Sequence, residues 1–157
     1  MISALQPISI NFGTDGFRGI IGDNFTFDAV SRISSSLAEY LKDSPSKTVA
    51  IGYDTRFLSK EFAAAAAEAI VSSGIKVVLS DNFCPSPVLS YFVKDKKCAA
   101  GVMITASHNP YMFNGLKFKS PFGTSYSSIL CFLQMSSIDL DTETVLTTLP
   151  ERPSFIR

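Results

Sequence analysis

The sequence has no tryptophan, a single histidine (His108) and only three cysteines, Cys84, Cys98 and Cys131, none of them in a C-x-x-C pair. One histidine excludes a histidine-rich metal site. An odd cysteine count is a poor disulfide framework, so these residues read as thiols in a reducing compartment. Net charge is missing too, because 14 Lys and Arg balance 14 Asp and Glu. A general nucleic-acid binder would carry a basic excess to neutralise phosphates. No apolar run approaches the roughly 18–20 residues that cross a bilayer. The opening MISALQPISI lacks the basic and apolar regions of a secretory signal. These absences lead to the expectation of a cytoplasmic protein that binds neither nucleic acid nor membrane.

What is there is a globular composition. Apolar residues make up 46% of 157, a length that fits one domain burying roughly 70% of its unfolded surface. Ile8–Phe12 alternates and predicts a first strand. It runs into Gly13–Gly19 (GTDGFRG), where three glycines within seven residues predict an irregular loop. Thr26 is placed to cap a helix whose stripe is Phe27, Val30, Ile33, Leu37 and Leu41. Thr48–Tyr53 is a second strand, and Ser59 is expected to cap a second helix with Glu61 in its first turn and Gly74 beyond its end. Ile75–Leu79 is a third strand, Pro85 and Pro87 bracket the start of a short helix, and Cys98–Thr105 is an apolar fourth strand of the kind buried on both faces. Asn114–Lys119 alternates and predicts a strand or hairpin arm.

Strands and helices in this alternation predict an α/β fold: a mixed, mostly parallel sheet with helices on both faces. Ligands gather at the carboxyl ends of such strands. Three polar segments, GTDGFRG, DTR and TASHNP, are expected to converge there. Ser107 follows a buried strand, which is a way to present a hydroxyl at a site edge, although Ser, Asn and Pro are also ordinary turn formers. There is no G-x-S-x-G elbow and the only histidine adjoins the serine, which disfavours a Ser-His-Asp hydrolase. The glycine-rich stretch is neither a Walker A nor a G-x-G-x-x-G sequence. Arg18 and Arg56 are residues of the type that bind phosphate bidentately, or else surface ion-pair partners. Lys117 stands ten residues after Ser107, where a returning strand would bring it back toward the hydroxyl; alone, it is a solvated lysine. A serine with two arginines, a lysine and a histidine suits phosphoryl handling better than acyl transfer, because phosphoryl transfer needs positioning and positive charge more than a strong base.

Taken together, FGTDGFRG, GYDTR, PSPVLSYFV, GVMITASHNP and NGLKF resemble, in order from Phe12 to Tyr126, the first domain of the α-D-phosphohexomutases, the phosphoglucomutase/phosphomannomutase group. The resemblance implies the α/β/α fold of that domain. It implies that Ser107 is a phosphoserine that exchanges its phosphoryl group with a hexose phosphate through a hexose bisphosphate. It further implies that Lys117 is an acid/base and charge-stabilising group, that His108 is catalytic, and that Thr105, His108 and Asn109 shape the loop. Arg18 and Arg56 would steady phosphate charge or support that loop. Magnesium is the implied cofactor, with the phosphate of Ser107 as one ligand. The sequence offers no carboxylate cluster near these residues to complete the site; Asp15 and Asp54 stand isolated.

Family members have four domains, and only the first has a counterpart here. Residues 1–126 are therefore expected to form domain I, and residues 127–157, apolar and Ser/Thr-rich, a divergent, poorly packed tail. A truncated module that binds phosphate or a partner without turnover is the alternative function. The resemblance then implies a separate chain, or self-association, covering the exposed interface.

Overall fold

The structure is a computed structural model that describes residues 10, 12–13 and 16–126. The expected tail at 127–157, and with it the boundary at 126, lie outside the described residues, as do Ile8, Ser9 and Asn11 of the expected first strand. The described chain runs β1 (Phe12–Gly13), β2 (Gly16–Ile20), α1 (Phe27–Tyr40), β3 (Thr48–Tyr53), α2 (Ser59–Ser72), β4 (Lys76–Leu79), α3 (Ser86–Asp95), β5 (Ala100–Ile104) and β6 (Phe113–Lys119).

The strands form one sheet in the order β1-β2-β6-β5-β3-β4. β3 pairs in parallel with both β4 and β5, while β6 runs antiparallel to β5 and β2, and β1 antiparallel to β2. Strands β2, β3, β4 and β5 consequently point one way, and β1 and β6 the other. The sheet is mixed, as the sequence predicts. Every residue of β5 is buried, between a parallel and an antiparallel neighbour.

Side-chain alternation sends each strand's residues to two faces. Val49, Ile51, Tyr53, Val102, Ile104, Leu116 and Phe118 join the larger core with α1 and α2, whereas Ala50 and Met103 meet Leu89 and Val93 of α3. The helices cover both faces because their apolar stripes do. In α1, Val30, Ile33 and Leu37 are buried, as is Leu41 just past its end, and Thr26 Oγ1 accepts the Ala29 N–H at 3.2 Å. Phe27 keeps 45% of its surface exposed, yet its ring centroid lies 4.5 Å from that of Phe62. At the end of α2, Gly74 takes φ 81°, the left-handed conformation that closes a helix. Pro85 precedes α3 and Pro87 sits in its first turn.

Two expectations fail. The glycine-rich stretch is not a loop throughout, since Gly16–Ile20 is β2 and pairs with β6 from Phe17–Leu116 to Ile20–Phe113. The physical reason is space. Gly16 adopts φ 139°, and a Cβ there would overlap the Leu116 carbonyl oxygen, so the glycine lets the two backbones approach instead of breaking the strand. Ser59 does not cap α2 either. Leu58, at φ 59°, occupies the cap position without a side-chain bond, and Ser59 Oγ donates to Asp54 Oδ1 at 2.7 Å. A tertiary partner has taken the hydroxyl that the local rule assigned to the helix end. Among the described residues, no helix is long and apolar enough to cross a membrane.

Candidate functional site

The carboxyl end of β5 delivers Thr105, Ala106, Ser107, His108, Asn109 and Pro110, and the chain then returns as β6. Thr105 is still tied to the sheet, donating its N–H to the Gly115 carbonyl at 2.8 Å. Its Oγ1 accepts the Ser107 N–H at 3.0 Å, and Asn109 N–H reaches the Ala106 carbonyl at 3.1 Å. Ser107 itself stands at φ 58°, a left-handed conformation that L side chains rarely adopt. Such a residue persists only where its surroundings over-determine it. Ser107 and His108 are exposed, Asn109 is half-buried and Thr105 is buried.

The surroundings that fix this loop come from the carboxyl end of β3. There Asp54, Thr55 and Arg56 turn away from the strand, with Arg56 N–H donating to Asp54 Oδ1 at 3.0 Å. The Arg56 guanidinium reaches across and binds four carbonyls. Nη2 donates to Ser107 O at 2.8 Å and Asn109 O at 2.7 Å, and Nη1 donates to Pro110 O and Phe113 O, both at 3.0 Å. Nε faces Asp54 Oδ2 at 3.4 Å. A guanidinium has five N–H groups, so this fork is spent on the loop and on Asp54.

Arg18 approaches from β2. Register sets it opposite Gly115, and its Nη1 donates to Asn109 Oδ1 at 2.7 Å. Gly115 is held to a glycine by crowding: a Cβ there would lie 2.6 Å from the Thr105 carbonyl, 2.9 Å from the Phe17 carbonyl and 3.1 Å from Arg18 Cγ. Lys117, two residues on, shares that face of β6, pairs in register with Met103 and is buried to 9% exposure. The antiparallel return that the sequence suggested is therefore present. The segments bearing Arg18, Arg56 and Ser107 meet at the carboxyl edge of β3 and β5. Arg18 belongs to a strand rather than to a loop after one, but the register of β2 on β6 carries it to that same edge.

Three further residues were not singled out as functional by sequence. Asp54 Oδ1 accepts from Ser59 Oγ, and Ser59 Oγ accepts from Asn114 Nδ2 at 2.9 Å. Asn114 Oδ1 in turn accepts the Gly115 N–H at 2.8 Å. The D-x-R spacing after a strand is a legible Asx-turn signal for Asp54; nothing local marks Ser59 or Asn114.

Comparisons with known proteins agree with this arrangement. A family model described as phosphoglucomutase/phosphomannomutase, alpha/beta/alpha domain I, matches residues 9–129. The chain belongs to the phosphoglucomutase/phosphomannomutase family. A phosphoglucomutase of Staphylococcus epidermidis is 42% identical over 127 residues, covering 76% of this chain and 23% of its own length. A phosphoglucosamine mutase of Finegoldia magna is 37% identical over 112 residues, covering 71% of this chain and 25% of its own. A solved structure from Thermus thermophilus, under the name phosphomannomutase, superposes with a TM-score of 0.78 at 38% identity, covering 83% of this chain and 30% of that one. The chain spans about a fifth to a quarter of the length of such curated relatives, 21% in one Staphylococcus phosphoglucomutase and 25% in the Finegoldia protein. Within the family fold, the six-stranded sheet and three helices are those of domain I.

The magnesium implied by the resemblance finds few ligands here. Among the described residues, no group of three or more His, Cys, Asp or Glu is arranged to hold a metal ion. Asp54, the carboxylate beside the loop, is engaged by Arg56 and Ser59. The described residues therefore do not build a magnesium site by themselves.

Proposed function

We propose that this chain is the phosphoryl-carrying domain of a phosphohexomutase, with Ser107 as the acceptor and donor of the phosphoryl group. The observation that carries the reading is the Ser107 loop at the end of β5, held in a left-handed conformation by Arg56 and touched by Arg18 through Asn109. An exposed hydroxyl on a rigid loop meets the first requirement of phosphoryl transfer, which is positioning.

In the forward step the Ser107 oxygen forms a new P–O bond with one phosphate of a hexose bisphosphate. The P–O bond to the sugar breaks, and the sugar oxygen leaves with the proton that the serine gives up, carried by Lys117 or His108. Arg18 supplies positive charge to the transferring group, and Thr105 and Asn109 hold the loop. In the reverse step the phosphorylated Ser107 gives its phosphoryl group to the free hydroxyl of a hexose monophosphate, and the bisphosphate so formed, once turned over, returns its other phosphoryl group to Ser107. Magnesium, if bound to the phosphate of Ser107, takes its remaining ligands from outside the described residues. The setting is cytoplasmic, the small-molecule partners are a hexose phosphate and a hexose bisphosphate, and neither nucleic acid nor membrane is a partner.

A second reading for turnover starts from the described residues, which by themselves arrange no group of three or more His, Cys, Asp or Glu for a metal ion. In that reading the chain accepts phosphate without interconverting sugars until the remaining domains, or a second chain, close over the site. Incubation with glucose 1,6-bisphosphate and magnesium, followed by intact-mass measurement, tests the acceptor role. The expected result is uptake of one phosphoryl group by the wild type and none by Ser107→Ala. Equal uptake by both proteins, or none by either, overturns it.

A further inference from the structure

We infer that Asp54, Ser59 and Asn114 are positioning residues that set the conformation of the Ser107 loop through Arg56. Arg56 itself serves as a geometric clamp rather than as a source of charge for a bound phosphate. The phosphoryl-transfer consequence rests on the function proposed above; the control of loop geometry does not.

The first observation is stoichiometric. Arg56 Nη1 and Nη2 together carry four N–H groups, and four carbonyls accept from them, at Ser107, Asn109, Pro110 and Phe113. The remaining N–H, on Nε, faces the Asp54 carboxylate, which also offsets the positive charge. No donor of this fork remains for a phosphate, and the guanidinium can bind one only by releasing the loop. A lysine would keep the charge yet lose the planar fork that spans four carbonyls.

The second observation is what orients the clamp. Asp54 Oδ1 accepts both the Arg56 N–H at 3.0 Å and Ser59 Oγ–H at 2.7 Å. Ser59, 1% exposed at the start of α2, accepts from Asn114 Nδ2, and Asn114 is wholly buried on β6. Asn114 Nδ2 also reaches the Phe57 carbonyl at 3.3 Å. Each donor in the series from Asn114 through Ser59 to Asp54 has its acceptor next along, and the Asn114–Ser59 bond is buried, where an unmade bond is costly. The carboxylate that aims Arg56 is thereby fixed to helix α2 and to the strand that leaves the Ser107 loop. Thr105, through Gly115, and the clamping Arg56, through Asp54, Ser59 and Asn114, are thus referred to the same stretch of β6.

Amide hydrogen exchange by NMR on the intact chain reads this directly, because the Ser107 and Asn109 N–H groups report the loop and those of Val102 and Ile104 report the sheet. In Ser59→Ala and in Asp54→Asn, exchange at Ser107 and Asn109 is expected to accelerate about tenfold while the β5 amides keep their wild-type rates. Arg56→Lys is expected to do the same although its charge is retained, and the double variant Ser59→Ala/Arg56→Lys should be no faster than Arg56→Lys alone. Asp54 is half-buried and Asn is its isostere, so that variant tests the relay even where Ser59→Ala fails to fold. Unchanged loop exchange in Asp54→Asn, additive rates in the double variant, or equal acceleration in loop and sheet would each overturn the inference. A wild type that takes no phosphate while these exchange results hold defeats the proposed function alone; phosphate uptake with no loop response defeats the relay alone.

Discussion

The face of the sheet under α1 and α2 is filled by a set of aliphatic side chains and by Phe17, Phe25, Phe62 and Phe118, these four rings at 2% exposure or less. The face under α3 is thin by contrast. Among the described residues its buried cluster is Ala50, Leu89, Val93, Cys98 and Met103. Between α3 and β4 it opens into a cavity of about 290 Å³ lined by Val78, Leu79, Cys84, Leu89 and Phe92. Alternation along β2 and β6 puts Arg18 and Lys117 on this same sparse side, while Phe17 and Leu116 face the dense one. The division is physical. Stability is concentrated where apolar area is buried, and the cationic side chains sit where apolar packing is incomplete.

The largest test of that contrast is truncation on each face. Phe62→Ala removes a ring whose centroid lies 4.7 Å from that of Phe25 and 4.5 Å from that of Phe27. It is expected to cost about 3–5 kcal/mol in denaturant unfolding. Leu89→Ala, beside an existing cavity, should cost about 2 kcal/mol, the low end for a buried leucine. Equal losses would break the contrast.

An intermediate effect is expected at Gly115, where the antiparallel strands meet the loop. Ala at this position puts a Cβ 2.6 Å from the Thr105 carbonyl, so β6 must shift away from β5. The expected loss is about 1–3 kcal/mol, the range for overpacking, together with weaker phosphoryl uptake at Ser107. A variant with wild-type stability and uptake would show that the crowding is relieved at no cost.

These sites also mark what could be read without coordinates. Helix α1 was legible because its apolar spacing and its Thr26 cap are local properties of consecutive residues. Strand β5 was legible as a nearly uninterrupted apolar run. β2 was not, because its strand begins at a glycine, Gly16, that must fit against the β6 backbone, and glycine in sequence carries the opposite signal. At the site, Ser107 and the two arginines stood out by their motifs. Ser59 and Asn114 did not, since these partners lie 55 residues apart in sequence and no local pattern joins them.

The smallest expected effect concerns Tyr126, at the edge of the dense face, whose ring packs edge-on against Tyr40 at 6.0 Å. Burial, with the Tyr40 hydroxyl beside it, pushes its phenol up to about 12 from an ordinary 10.0. The folded chain therefore binds more protons than the unfolded chain between those values. Stability present below pH 10.0 should decline as pH rises toward about 12. Thermal melts across that interval should fall more steeply for the wild type than for Tyr126→Phe; identical slopes would remove the tyrosine from the account.

The central claim is that the hydroxyl of Ser107, and no other, receives a phosphoryl group. Phosphosite mapping by tandem mass spectrometry after exposure to glucose 1,6-bisphosphate and magnesium addresses it most directly. The account predicts phosphate on the peptide carrying Ser107, localised to that residue, with nearby Thr105 unmodified. Phosphate on another residue, or an unmodified Ser107 in a chain whose loop is shown to be ordered, would contradict it.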